Sequence, residues 1–311
     1  MARNNYDGID AFTADYYAQY ENIISNGEAR IPICFCIDTS SSMNFITNRP
    51  EEYTIVENSS HTVDGVRNVK GAVAKRGYTL HTRIEKVRGV LTDMLQRMKY
   101  DRRISNAAAI SIVNFDVFAD CIAEFSEIDK LIKGDLISSI DTDERRDKTN
   151  ASKGIYMALE RLDQFSRVNK MAGNESYKPV LIFMSDGDVN EDLGAGAASY
   201  EVRERSNAGK LNVIPIAIGR DANESWMRGL TKDGHVYRME YEDEFDEVFN
   251  IIAKRIAKTA MVISVDEEIS EKIEDENSVS VNEETSSQYG GRMSADDIMD
   301  FLELMNSDDV D

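Results

Sequence analysis

Four stretches of the chain are continuously apolar rather than alternating. They are 31–37 (IPICFCI), 107–115 (AAAISIVNF), 179–184 (PVLIFM) and 211–218 (LNVIPIAI), all rich in β-forming residues. Unbroken hydrophobicity over such short lengths describes strands covered on both faces, as in a parallel sheet flanked by helices. A further run, 117–124, follows the second after a single Asp and is spaced to pair with it as a hairpin. Between the runs the period changes to that of a helix. Residues 83–99 put Ile84, Val87, Leu91, Met94, Leu95 and Met98 on one stripe, opened by Thr82 and Glu85 at capping-box spacing. Residues 151–165 align Ile155, Ala158, Leu159, Leu162 and Phe165, and residues 244–257 align Phe245, Val248, Phe249, Ile252 and Ile256. Strands alternating with helices require crossover connections, so the expected fold is α/β: a doubly wound, mostly parallel sheet flanked by helices.

Two segments break the alternation. Residues 44–81 stand between the first strand and the first long helix, with β-like fragments at Tyr53 to Val56 and Val66 to Val73. That is too long for a plain loop and predicts an inserted β-ribbon or lid. From about residue 264 the chain is polar and acidic and reads as disordered. The domain reading is an N-terminal extension at 1–29, a main domain at 30–260 interrupted by the insertion at 44–81, and an acidic tail at 261–311. In the extension, Phe12, Tyr16, Tyr17 and Tyr20 have helical spacing and are expected to pack on the core. Within the tail, Ser294 is placed to cap a short amphipathic helix at 294–305 bearing Ile298, Phe301, Leu302 and Met305. Such a stripe either docks on its own chain or serves as a partner-binding peptide.

Composition sharpens this picture in three ways. The formal net charge is −21, but residues 261–311 hold sixteen Asp/Glu against two Lys/Arg, which places −14 in the tail and leaves −7 for the rest. With no basic stripe to displace counterions, nucleic acid is disfavoured as a partner. No apolar run reaches membrane-spanning length, and the N-terminus lacks the pattern of a secretory signal, so a cytoplasmic location is expected. The three cysteines, Cys34, Cys36 and Cys121, all lie in strand-like segments and read as buried, reduced thiols. Cys34-Phe35-Cys36 lacks a second Cys/His pair to complete a metal site.

The chemistry sits at the strand ends. The first strand runs into Asp38-Thr39-Ser40-Ser41-Ser42-Met43, and the run at 179–184 leads into Ser185-Asp186-Gly187-Asp188. Open parallel sheets bind ligands at the carboxyl ends of strands, where strand order reverses. Neighbouring strands lie only about 5 Å apart, so two such carboxylates would converge and repel. A hard divalent cation relieves that repulsion, and Ser and Thr hydroxyls add neutral oxygens to its shell. An oxygen-only set suits Mg²⁺. A capping turn accounts for one or two of Asp38 to Ser42, but not for the whole set.

Asp38-x-Ser40-x-Ser42 after an apolar strand resembles the metal-ion-dependent adhesion site (MIDAS) of von Willebrand factor A (vWA) domains. That family continues with a Thr ahead of a helix, matched by Thr149, and an Asp after the next strand, matched by Asp186. The resemblance covers roughly residues 30 to 260 apart from the insertion. It implies that Ser40, Ser42 and Thr149 are hydroxyl ligands to Mg²⁺ (or Mn²⁺). Asp38 and Asp186 would act directly or through water, and an open position would receive a partner's Asp or Glu carboxylate. Binding rather than bond breaking is implied. The chain also resembles stand-alone bacterial vWA proteins associated with tellurite-resistance and stress gene clusters, which implies a scaffold or assembly factor with kinase or phosphatase components among its partners.

Three departures from the family pattern stand out: Ser41 where Gly is common, Asp147-Lys148 ahead of Thr149 where glycines are usual, and the insertion. Lys148 would weaken a nearby cation unless it faces solvent. Two alternatives remain open at this point. One is a vWA scaffold with an inactive metal site. The other is a haloacid-dehalogenase-type, Mg²⁺-dependent phosphohydrolase, for which Gly187-Asp188-Val189-Asn190-Glu191-Asp192 has the right spacing. Those enzymes resemble one another in a second Asp two residues after the first, and here that position is Ser40, which leaves no general acid.

Overall fold

In a computed structural model the described residues are 20, 23–24, 30–55, 62–63, 66–67, 72–143, 148–174, 177–187, 189, 192–241, 244–245, 248–249, 251–252 and 256. The acidic tail, the helix at 294–305, Phe12, Tyr16, Tyr17, Asp147 and Asp188 lie outside them.

The chain order is β1 (Ile31–Asp38), β2 (Tyr53–Ile55), β3 (Thr62–Val63), β4 (Val66–Arg67), β5 (Ala72–Ala74), α1 (Arg83–Tyr100), α2 (Arg102–Ala107), β6 (Ala108–Phe115), β7 (Ala119–Ser126), α3 (Ile128–Lys133), α4 (Ala151–Met171), β8 (Val180–Ser185), α5 (Ala195–Asn207), β9 (Asn212–Ile218), α6 (Glu224–Met227) and β10 (Tyr237–Met239). Six strands form one sheet in the order β10–β9–β8–β1–β6–β7. All pairings are parallel except the hairpin β6–β7. The expected doubly wound, mostly parallel α/β fold is therefore what the chain adopts.

The four long apolar runs became β1, β6, β8 and β9, and the run at 117–124 became β7. Alternate residues of β1 feed two cores, one on each face of the sheet. Ile31, Ile33, Phe35 and Ile37 pack with Ile84, Val87, Leu91, Met94, Leu95 and Met98 of α1 and with Phe245, Phe249 and Ile252. Cys34 and Cys36 pack on the other face with Ile155, Ala158, Leu159, Leu162 and Phe165 of α4. Because each strand residue is buried on one side or the other, the sequence reads as continuous hydrophobicity. All three cysteines are unpaired thiols. Burial pushes the Cys34 and Cys36 thiols well up, and Cys121 up to about 12, so all three stay protonated. Of the N-terminal aromatics, Tyr20 is buried and meets Phe165 edge-on at 5.4 Å.

The insertion is a β-ribbon, as expected. β2 pairs antiparallel with β5, and β3 with β4. Its two ends are stitched together. Ile46 bridges Thr82, the Thr47 N–H donates to the His81 carbonyl at 3.0 Å, and the His81 N–H donates to Asn48 Oδ1 at 3.0 Å. The chain thus leaves after β1 and returns to the same place to start α1, whose N-terminus carries the anticipated Thr82–Glu85 capping box.

Candidate functional site

β1 is central, with β6 on one side and β8 on the other. Its crossovers leave in opposite directions, so the crevice at its carboxyl end is the position where open α/β sheets take ligands. Asp38 ends β1, and Ile37 pairs with Met184, which puts Ser185 and Asp186 directly beside it.

Asp38 is fully buried, and both its oxygens are held. The Ser40 N–H donates to Oδ1 at 2.9 Å, and the Ser185 hydroxyl donates to Oδ2 at 2.6 Å. The Gly187 N–H donates to the Ser185 hydroxyl at 2.9 Å, fixing its direction. After Asp38 the chain makes one tight turn at Ser41–Asn44, anchored by buried Met43. That turn brings the Ser40 and Ser42 hydroxyls to 3.1 Å from each other. Thr39 locks the turn to the next strand through its N–H and hydroxyl, which donate to the Phe115 carbonyl at 2.8 and 3.1 Å.

Asp186, 4% exposed, receives the Asn223 N–H on its carbonyl at 2.7 Å. One residue on, Gly187 has φ +76°, and a Cβ there would run into the Asn223 backbone. Only glycine suits that turn. On its other flank, Thr149 is half-buried in the strand-to-helix connection. Its neighbour Asn150 donates its N–H to the Asp116 carbonyl at 2.7 Å, which ties that connection to the end of β6. The structure thus joins Asp38, Ser40 and Ser42 by direct hydrogen bonds, links Asp186 to them through the strand pair, and sets Thr149 beside the end of β6. Lys148 is exposed.

Sequence reasoning missed three participants. Ser185 is one, read only as part of a turn. The others are Arg83, 1% exposed in the first turn of α1, and Asp221, after β9. Arg83 Nη1 donates to Asp186 Oδ2 at 3.2 Å and to the Ser42 carbonyl at 3.4 Å, while Nη2 pairs with Asp221. The available signal was a cation at a helix N-terminus, where the helix dipole disfavours it. Asp192, offered by the phosphohydrolase spacing, has a different job. It accepts the Ser152 N–H at 2.6 Å and the Ser152 hydroxyl at 2.9 Å, closing the first turn of α4.

The electrostatics match a cation site. Burial, and then the neighbouring charge of Asp186, raise the Asp38 carboxyl despite the bonds from Ser185 and Ser40. A buried carboxylate with a second carboxylate beside it and two hydroxyls in contact forms a hard-oxygen donor set, and the residues present fit a divalent cation. Among the described residues no three His, Cys, Asp or Glu side chains gather into a metal cluster. Hydroxyl donors make such a cluster unnecessary.

A doubly wound parallel sheet with an acidic and hydroxylic crevice at its central strand defines a ligand-binding α/β domain. More particularly, the chain belongs to the von Willebrand factor type A domain family, whose model matches residues 78–251. That span contains Thr149 and Asp186 and starts after β1 and most of the insertion. Comparison with curated proteins gives no match. Among solved structures, the chain is similar to proximal thread matrix protein 1 from the mussel byssus, at 13% identity and a TM-score of 0.48 over 73% of this chain and 48% of that one. The chain thus spans about half the length of that protein, which is also described with a zinc-occupied MIDAS motif. It is similar as well to BatB from Bacteroides thetaiotaomicron (15% identity, TM-score 0.47, 75% and 100% covered). The PilB minor pilin from Streptococcus sanguinis is a further likeness (16% identity, TM-score 0.48, 74% and 61% covered).

Proposed function

We propose that this vWA domain is a divalent-metal-dependent protein-binding module. Asp38, Ser40, Ser42, Thr149 and Asp186 would hold Mg²⁺ or Mn²⁺, and the bound ion would supply a Lewis-acidic position for an Asp or Glu carboxylate of a protein partner. The observation that carries this reading is the turn after β1, where two serine hydroxyls 3.1 Å apart sit beside a buried carboxylate whose neighbour is another carboxylate. The protein's own part is positioning. Ser185 and the Ser40 N–H orient Asp38, Gly187 permits the turn after Asp186 that the Asn223 backbone closes, and Asn150 holds the segment that carries Thr149.

Binding rather than turnover is the better reading of these residues. A phosphohydrolase needs an acid two residues after Asp38, where Ser40 stands, and Asp192 is engaged at the start of α4. We further read the protein as a cytoplasmic scaffold or assembly factor of the stress- and tellurite-associated type, with kinase or phosphatase components as candidate partners. That finer step rests on the sequence resemblance alone. The domain division into a 1–29 extension, a 30–260 core and a 261–311 tail belongs to the same proposal.

The test is calorimetry and thermal shift with Mg²⁺ and Mn²⁺, followed by capture of partners with and without chelator. A ligand that binds only the folded form raises Tm by mass action. Wild type is expected to shift, and Asp38→Ala is not. Equal shifts in both proteins, or capture indifferent to chelator, would remove the basis for the proposal.

A further inference from the structure

One of the two carboxylates at the strand ends, Asp186, already holds a cation. Arg83 leaves the first turn of α1, is 1% exposed, and spreads one guanidinium over three acceptors: Asp186 Oδ2 at 3.2 Å, the Ser42 carbonyl at 3.4 Å, and Asp221. The Phe45 ring lies 5.2 Å from its Cζ. Room for it comes from Gly219, where a Cβ would strike the guanidinium and φ is +98°. The Nε atom is buried without a hydrogen-bond partner among the described residues, so the fork is not used to the full. Asp221, by contrast, is 33% exposed and lies on the solvent side of the pair.

We propose that Arg83 is a latch that sets the metal affinity of the site. Its guanidinium neutralises Asp186 while no metal is bound, and it yields that carboxylate to an incoming divalent cation by shifting its hold to Asp221. This rests on the metal-site reading above and adds to it a resident competitor and a receiving carboxylate. The physical ground is twofold. A buried positive charge beside a doubly charged ion repels it strongly in a low-dielectric crevice. A buried guanidinium cannot be left unpaired, so release of Asp186 requires a second acceptor within reach. Asp221 is that acceptor.

Isothermal titration of the full chain with MgCl₂ and MnCl₂ tests this, using wild type, Arg83→Gln, Asp221→Asn and the double variant. The latch predicts that Arg83→Gln binds metal about tenfold tighter or more while losing metal-free thermal stability. Asp221→Asn should weaken binding severalfold, because the guanidinium then has only Asp186, and the same change made in the Arg83→Gln background should have no effect. Where Arg83→Gln does not fold, Arg83→Lys serves. It keeps the charge, loses the fork, and is expected to tighten binding by a smaller factor. Unchanged or weaker binding on removal of the guanidinium overturns the latch, as does an Asp221→Asn effect of equal size in both backgrounds. If neither wild type nor Arg83→Gln binds either metal, the metal-site reading fails, and the latch with it. Wild-type binding with Arg83→Gln unchanged sinks the latch alone.

Discussion

Burying Asp38 beside Asp186 couples one proton to the stability of the whole domain. Without metal the Asp38 carboxyl is pushed up to about 7, chiefly because burial disfavours the charged form and secondarily because Asp186 repels it. A folded-state value above the unfolded one gives stability that is complete below the unfolded pKa and is lost as pH rises through the folded one. Metal-free protein is therefore expected to lose thermal stability between about pH 4 and about pH 7, and saturating Mg²⁺, which favours the ionised carboxylate, should remove that slope. Asp38→Asn should flatten the metal-free profile and abolish the metal response together. Thermal melts across pH, with and without chelator, read both effects, and a variant whose slope parallels wild type would show that another group is responsible. At this scale the ligand residues were legible because each follows a strand run directly, so position and chemistry coincide. Arg83 and Asp221 were not. They lie far apart in sequence, and what joins them is the approach of α1 to the end of β9 over a residue without a side chain, Gly219.

Elements differ in how much of their residue pattern they must show. α1 and α4 each bury a full stripe, and both were predicted, including the cap at Thr82. α5 buries only Ala195, Ala198 and Val202, so its apolar face is too thin to give a helical period, and it was not anticipated. β10 is three residues long and carries too short a pattern to separate from a loop. The insertion was legible as β-like fragments and a length anomaly, and its closure is a matter of hydrogen bonds between 46–48 and 79–82 that no periodicity records. One prediction belongs to α4, whose first turn depends on Asp192. Removing an anionic acceptor from two donors at a helix N-terminus costs about 1–2 kcal/mol. Asp192→Ala should lower stability by that amount in urea unfolding and leave the metal-induced thermal shift intact. A variant of normal stability that no longer responds to metal would instead put Asp192 among the ligands.

For the molecule as a whole, the unequal distribution of charge governs what can be removed. Both hydrophobic cores close with residues no later than Ile256 among those described, and the unit to which they belong spans Met1–Ser264. The last fifty-one residues carry −14 of the net −21. Stability of the domain arises from apolar burial on two faces of one sheet, and self-repulsion from the tail opposes compactness if it acts at all. A chain ending at Ser264 is therefore expected to remain soluble and to melt within about 2 °C of the full protein, a margin worth about 1 kcal/mol for a domain of this size. Its metal-induced shift should be unchanged, because every candidate ligand lies between Asp38 and Asp186. Differential scanning calorimetry of the two chains, with and without Mg²⁺, measures both quantities. A truncated chain that aggregates, or melts far below the full protein, would mean that the acidic segment contributes apolar contacts to the domain, as docking of the stripe at Ile298, Phe301, Leu302 and Met305 on its own chain would.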